Sequence, residues 1–312
     1  MSIKNKLKIG LVASTGSLNT FSTLGIVNFI KEHNIKITGC SASSGGSFPL
    51  AAFCAGIDLR AFDSEKIARD LKDCFFDTDK KSLIKLLLGF LAHVMGINIK
   101  SPLMGLEAMG YYKGDGLLNL LKEKLGNLTF KDTIIPIYVP AWNITEKQTD
   151  LFHKHGLNPT LAEAVRMSST IPGVFQPYKY NGHLYWDGGV ARSLPVMELL
   201  QNEPDINFVI LIDTISGNDL IMDPLKKPMS LLHALNDIVI GLQNVQVKEA
   251  ISYAISKLGE ENVLILTPPH RWGWSDFDKI PEIVQDGYQL AKNAFRYNKK
   301  LQKALDLFKD EN

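Results

Sequence analysis

The chain has 312 residues, of which 45% are apolar and 21% charged, the composition of an ordinary globular protein with enough apolar side chains for a large core. Its 34 basic and 33 acidic side chains leave a net charge of +1, so no overall field draws it to nucleic acid or to an anionic membrane. Cys40, Cys54 and Cys74 are too few and too scattered for a disulfide framework, and no pair has metal-ligand spacing, so a reducing, cytoplasmic setting is expected.

Residues 1–8 are basic, but the apolar run after them covers only residues 9–13 and ends in a Ser/Thr/Gly turn. It reads as a first buried strand rather than a signal peptide, although export by a route that reads no cleavable signal stays open. Residues 24–32 follow as a helix, 36–42 as a second strand, and a Ser/Gly turn at 43–47 opens a helix whose small apolar residues suit tight packing on a sheet. This order implies parallel strands joined by crossover helices.

Residues 64–126 read as helical, with Asp115 and Gly116 ahead of an amphipathic run through Leu117, Leu118, Leu121 and Leu125. Within them, residues 83–99 form the longest apolar stretch. Lys85, Gly89, His93 and Gly96 interrupt it, and it falls short of the ~20 apolar residues that a spanning helix needs. Strand signals return at 134–140, a short helix at 161–167, an extended stretch at 174–186 and a strongly apolar strand at 208–212. Helices at 229–258, a last strand at 263–266 and terminal helices at 280–307 complete a pattern without repeats or flexible linkers, read as one α/β domain with a helical insertion.

The turn after the second strand carries the first chemical signal. A nucleophilic serine on a sharp strand-to-helix turn needs small residues two before and two after it, where larger side chains would strike the flanking strand and helix. Of Ser41, Ser43 and Ser44, the last fits best, with Ala42 before it and Gly46 after it. At a helix N-terminus it would also face free backbone N–H groups and the positive end of the helix dipole. The competing reading is a plain Ser/Gly-rich helix start, because this string lacks the leading glycine of the usual motif.

A second segment runs Met167-Ser168-Ser169-Thr170-Ile171-Pro172-Gly173-Val174-Phe175, followed by Trp186-Asp187-Gly188-Gly189-Val190 and Leu194-Pro195-Val196. Together with the serine turn upstream, these motifs resemble the patatin-like phospholipases, and the likeness covers nearly the whole chain, least clearly at 78–109. The resemblance implies a three-layer α/β/α sandwich with a mostly parallel central sheet. It implies a single acyl-hydrolase domain over residues 1–312, with a helical cap at about 78–110. The implied activity is lipid acyl hydrolysis of phospholipase A, lysophospholipase or carboxylesterase type, through an acyl-enzyme on Ser44 with Asp187 as base. Gly16, Ser17 and Gly45 become the candidate oxyanion donors. No metal, organic cofactor or nucleic acid is implied; the partner is a phospholipid or other fatty-acyl ester, with peripheral membrane contact through the insertion.

The sequence departs from the family at the loop Thr15-Gly16-Ser17-Leu18-Asn19-Thr20, which keeps one glycine of the expected triplet and has Asn19 where Arg or Lys is usual. A catalytically weak lipid-binding or regulatory protein is therefore the alternative.

Other residues carry weaker signals. His183, four positions before Asp187, suggests a Ser-His-Asp triad, but its polar surroundings read as surface. His153 and His155 sit two apart on an expected strand without a third metal ligand. Arg166 and Arg192 flank the aspartate region, where the plainer reading is pairing with acids rather than phosphate binding. Residues 82–91 are too apolar for a solvated helix and suit either core or a substrate cover from which Lys85 snorkels. A nucleotide-binding reading of the Thr15-Gly16-Ser17 turn lacks a phosphate-loop lysine.

Overall fold

Short, mostly apolar runs such as residues 9–13 and 208–212 make the central strands of a sheet buried on both faces, and that sheet organises the fold. The computed structural model describes residues 7–59, 62–75, 109–216, 231–269, 272 and 276–305. Strand β1 (Ile9–Ala13) leads through a 3-10 turn into helix α1 (Ser22–Glu32), then β2 (Ile37–Ala42), α2 (Ser47–Cys54) and α3 (Ser64–Phe75). After β3 (Gly110–Tyr112) and α4 (Asp115–Leu125) come β4 (Ile137–Asn143), β5 (Gln148–Phe152) and α5 (Leu161–Ser168). Three short strands follow, β6 (Gly173–Phe175), β7 (Tyr178–Tyr180) and β8 (His183–Trp186), then α6 (Val196–Asn202), β9 (Phe208–Ile212) and α7 (Leu231–Leu258). The described chain closes with β10 (Val263–Leu266), α8 (Ile280–Tyr297) and α9 (Lys299–Leu305).

The main sheet has the order β10-β9-β1-β2-β4-β8-β7, with β5 also paired to β4. Strands β10, β9, β1, β2 and β4 are parallel, while β5 and β8 join β4 antiparallel and β7 continues antiparallel from β8. Alternation along β1 separates two cores. Ile9, Leu11 and Ala13 pack with side chains of α1, α2, α4 and α8, whereas Val12 joins Leu199 of α6 and Val247 and Ala254 of α7 on the opposite face. Helices thus cover both faces of a mostly parallel sheet, as the expected three-layer fold requires.

Two expectations are corrected. The reading of 64–126 as helical is broken by β3, which pairs in parallel with β6 as a separate two-stranded sheet. Gly110 permits this, because a Cβ there would stand 2.1 Å from the Phe175 carbonyl carbon. His153 and His155 lie beyond the end of β5 rather than on it, since Gly156 turns the chain by bonding back to the His153 carbonyl. The apolar run at 82–91 and nearly all of the cap at 78–110 lie outside the described residues. Among the described residues no helix is long and apolar enough to cross a membrane.

Candidate active site

The site forms where the C-terminal ends of β1 and β2 meet the segment leading to α6. Ser44 follows β2 in a left-handed backbone conformation, φ 53°, costly for any side chain and held here by its surroundings. The crowding expected two residues after it is present: a Cβ on Gly46 would stand 2.6 Å from the Ser14 carbonyl oxygen. The Ser44 N–H donates to Ser168 Oγ at 2.9 Å, and the Ser44 hydroxyl donates to Asp187 Oδ2 at 2.6 Å. The neighbouring serines point elsewhere. Ser41 Oγ donates to the Pro195 carbonyl at 2.6 Å, and Ser43 Oγ is buried with no hydrogen-bond partner among the described residues.

Asp187 directly follows β8 and is 4% exposed. Its N–H donates to the Thr170 carbonyl at 2.8 Å, and its Oδ1 accepts the Gly189 N–H at 2.7 Å, leaving Oδ2 turned to Ser44. Burial penalises the carboxylate more than the bonds from Ser44 and Gly189 stabilise it, so its pKa is pushed up from 3.8 to about 7. Asp187 meets the serine directly. His183 Nδ1 instead lies 3.5 Å from Glu146 Oε1, which removes the basis for a triad through that imidazole.

The loop after β1 lies against the serine turn. A Cβ on Gly45 would stand 2.4 Å from Thr20 Oγ1 and 3.1 Å from the Ser17 carbonyl oxygen. Gly16, φ 157°, approaches Thr214 so closely that a Cβ would stand 2.2 Å from its Oγ1, whereas Ser17 accepts a left-handed φ of 52° without being glycine. Thr214 Oγ1 donates to the Thr15 carbonyl at 2.7 Å, which pins the loop to the end of β9. Among the described residues no group accepts a hydrogen bond from the N–H of Gly16, Ser17 or Gly45.

Beside Ser44 opens an apolar cavity of about 740 Å³, counting the part open to solvent. Ser17, Thr20, Ser44 and Gly45 are among the residues that line it, while Phe48, Leu71, Leu117, Leu120, Leu121 and Ile171 form most of its apolar wall. The described cavity is walled by α2, α3, α4 and the 171–175 segment; the 82–91 run, read as either core or a substrate cover, lies outside the described residues. Leu117 and Leu121 belong to the amphipathic run visible in the sequence, but nothing in that periodicity distinguishes a cavity wall from core.

A family model described as patatin-like phospholipase matches residues 11–200, from β1 through the Ser44 turn and Asp187 into α6. The chain belongs to the patatin-like phospholipase family. It is 24% identical over 301 residues to Lysophospholipase NTE1 of Meyerozyma guilliermondii, covering 92% of this chain but 19% of that protein. It is 20% identical over 206 residues to an uncharacterized NTE family protein of Mycobacterium tuberculosis, covering 66% of this chain and 49% of that one. The chain thus spans about a fifth of the fungal relative and about half of the mycobacterial one. The crystal structure of VipD from Legionella pneumophila superposes with a TM-score of 0.47 at 15% identity, covering 94% of this chain and 67% of that one.

Two residues of the motif to which the sequence assigned no individual role prove central to the geometry. Ser168 links the 167–175 stretch to the serine turn, and Thr170 links it to Asp187 through its carbonyl. Arg166 takes a role other than phosphate binding or pairing with an acid. It is 1% exposed and donates to the carbonyls of Gly114 (2.9 Å) and Lys113 (2.9 Å) and to Thr170 Oγ1 (2.7 Å), while burial lowers its pKa to about 10. It therefore braces Thr170, and with it the segment that holds Asp187. Arg192 pairs with Glu198, as expected for a surface arginine.

Proposed function

We propose that this chain hydrolyses fatty-acyl esters through a Ser44–Asp187 dyad, as a phospholipase A, lysophospholipase or carboxylesterase. The observation that carries this reading is the 2.6 Å hydrogen bond from Ser44 Oγ to the buried Asp187 carboxyl. A carboxylate of pKa about 4 is a poor base toward a hydroxyl, but one raised to about 7 is matched to proton transfer near neutral pH.

Asp187 Oδ2 removes the Ser44 proton as Oγ attacks the ester carbonyl carbon. The carbonyl oxygen becomes an oxyanion facing the N–H groups of Gly16, Ser17 and Gly45. Collapse breaks the bond to the alcohol, which leaves with the proton held on Asp187, and Ser44 carries the acyl group. Asp187 then takes a proton from water, whose oxygen attacks the acyl-enzyme; the acid departs and the proton returns to Ser44. The apolar cavity beside Ser44 suits the acyl chain, and the dyad itself uses no metal or organic cofactor.

A lipid-binding protein without turnover is the second reading, favoured by the non-glycine Ser17 held at positive φ in the proposed oxyanion loop. Fluorophosphonate labelling and hydrolysis of p-nitrophenyl esters and lysophosphatidylcholine separate the two. Wild type, Ser41→Ala and Ser43→Ala are expected to take the label and turn over substrate, and Ser44→Ala to do neither. Absence of labelling and turnover in wild type would leave the lipid-binding reading standing, and label retained in Ser44→Ala would refute the assignment of the nucleophile.

A further inference from the structure

Helix α7 packs on the sheet face opposite the acyl cavity, with Val247 and Ala254 buried against Leu199 and Val209, yet one of its side chains reaches the site. Gln246 Oε1 accepts from the Ser193 N–H at 3.0 Å and lies 2.9 Å from Ser193 Oγ, and Gln246 Nε2 donates to the Val190 carbonyl at 3.1 Å. The amide orientation is dictated by its partners: an N–H faces its oxygen and a carbonyl faces its nitrogen, so a flipped amide would satisfy neither.

Ser193 is fully buried and distributes this anchor in two directions. Its hydroxyl, with one proton to share, lies 3.1 Å from the Gly189 carbonyl as well as 2.9 Å from Gln246, while its own carbonyl accepts the Thr15 N–H at 2.9 Å. The first direction leads through Gly189, whose N–H fixes Asp187 Oδ1 and so turns Oδ2 to Ser44. The second leads into the loop carrying the N–H groups of Gly16 and Ser17. Thr15 closes the circuit, since a Cβ on Gly189 would stand 2.9 Å from its Oγ1.

We propose that Gln246, acting through Ser193, is a positioning residue that holds the base and the oxyanion donors in one arrangement, a role that rests on the hydrolase reading above. The proposed loop keeps a single glycine of the triplet expected for its family, and an external anchor from α7 supplies the definition that its own backbone lacks. Gln246 touches neither substrate nor Ser44, so its loss acts on geometry rather than on the reacting atoms.

The test compares wild type, Gln246→Ala, Ser193→Ala, Ser193→Thr and, as a control on the exposed side of the same helix, Lys248→Ala. Gln246→Ala and Ser193→Ala are expected to lower kcat roughly 10- to 100-fold with KM little changed, the scale of a small misplacement of reacting groups. They are also expected to shift the pH dependence of kcat/KM toward lower pH, as the loosened turn admits water to Asp187. Ser193→Thr, which keeps the hydroxyl, is expected to recover most of the activity, and Lys248→Ala to match wild type.

Amide hydrogen exchange supplies a readout independent of turnover: in Gln246→Ala the Thr15, Gly189 and Ser193 amides are expected to exchange faster while those of β9 stay protected. If wild type has no esterase activity, the hydrolase reading falls, and exchange alone decides whether Gln246 orders the two loops. Unchanged exchange at Thr15 and Gly189, or a loss of kcat matched by loss of protection throughout the sheet, overturns the positioning role.

Discussion

Ser44 and Asp187 are 143 positions apart in the chain and meet through one hydrogen bond of 2.6 Å, with no imidazole between them. The serine stands in a strained left-handed turn, while the aspartate spends its second oxygen on the Gly189 N–H. Three connections outside this pair support it: Ser168 to the Ser44 N–H, the Thr170 carbonyl to the Asp187 N–H, and Arg166 to the Thr170 hydroxyl.

The first prediction concerns pH and rate. Asp187 accepts a proton only when ionised, and burial places its pKa at about 7. The plot of kcat/KM against pH is expected to rise through about pH 7 and level off above it. A histidine base would give a similar limb, so the measurement is repeated on His183→Gln, which is expected to leave the limb in place. A limb near pH 4 would show that Asp187 is not held in its buried, raised state.

The second concerns pH and stability. A carboxyl with pKa about 7 when folded and 3.8 when unfolded favours folding fully below about pH 4, and that contribution is lost as pH rises through 7. In Asp187→Asn the site cannot ionise. The variant is therefore expected to gain on wild type by about 3 kcal/mol between pH 5 and pH 8, seen in paired urea titrations. A stability difference independent of pH counts against an ionising, buried Asp187.

The third concerns Ser168. Ser168→Ala leaves the buried Ser44 N–H without an acceptor, at a cost of about 1–3 kcal/mol. Because that bond helps to hold the left-handed turn, kcat is expected to fall at least about tenfold if Ser44 is the proposed nucleophile, the scale of a small misplacement of a reacting group. Kinetics and melting measured on one preparation check both parts; wild-type kcat in the variant would mean that the turn holds itself.

The fourth concerns the cavity. Leu120 lies on its wall, and Leu120→Trp fills space that a long acyl chain would occupy under the proposed function. Across p-nitrophenyl esters from butyrate to palmitate, the variant is expected to keep most of its activity on the shortest chain and to lose about tenfold or more on the longest, in line with the weight of a few methylenes in an apolar pocket. A uniform loss at every chain length would place the acyl group elsewhere.

The layers of this fold are legible in the order of its residues. Short apolar runs marked β1, β9 and β10, and β2 was read from the extended stretch before the serine turn, all to within a residue, while the helices between them followed from their periodicity. The sequence also marked Ser44 and Asp187, one through the small residues that a sharp turn requires and the other through a motif of recognisable order. Strand β3 was not legible, because three residues that include a glycine carry no period and pair only when Phe175 is brought alongside. Nor were the roles of Ser168, Arg166 and Gln246, whose polar side chains resemble those of any helix until their partners are known. The tertiary structure alone decided that Asp187 loses its water and so rises to about pKa 7, that its free oxygen faces Ser44, and that the wall of α3 and α4 encloses a cavity beside them. Desolvation and directed hydrogen bonds depend on which distant segments meet, and only the completed packing of the chain specifies that.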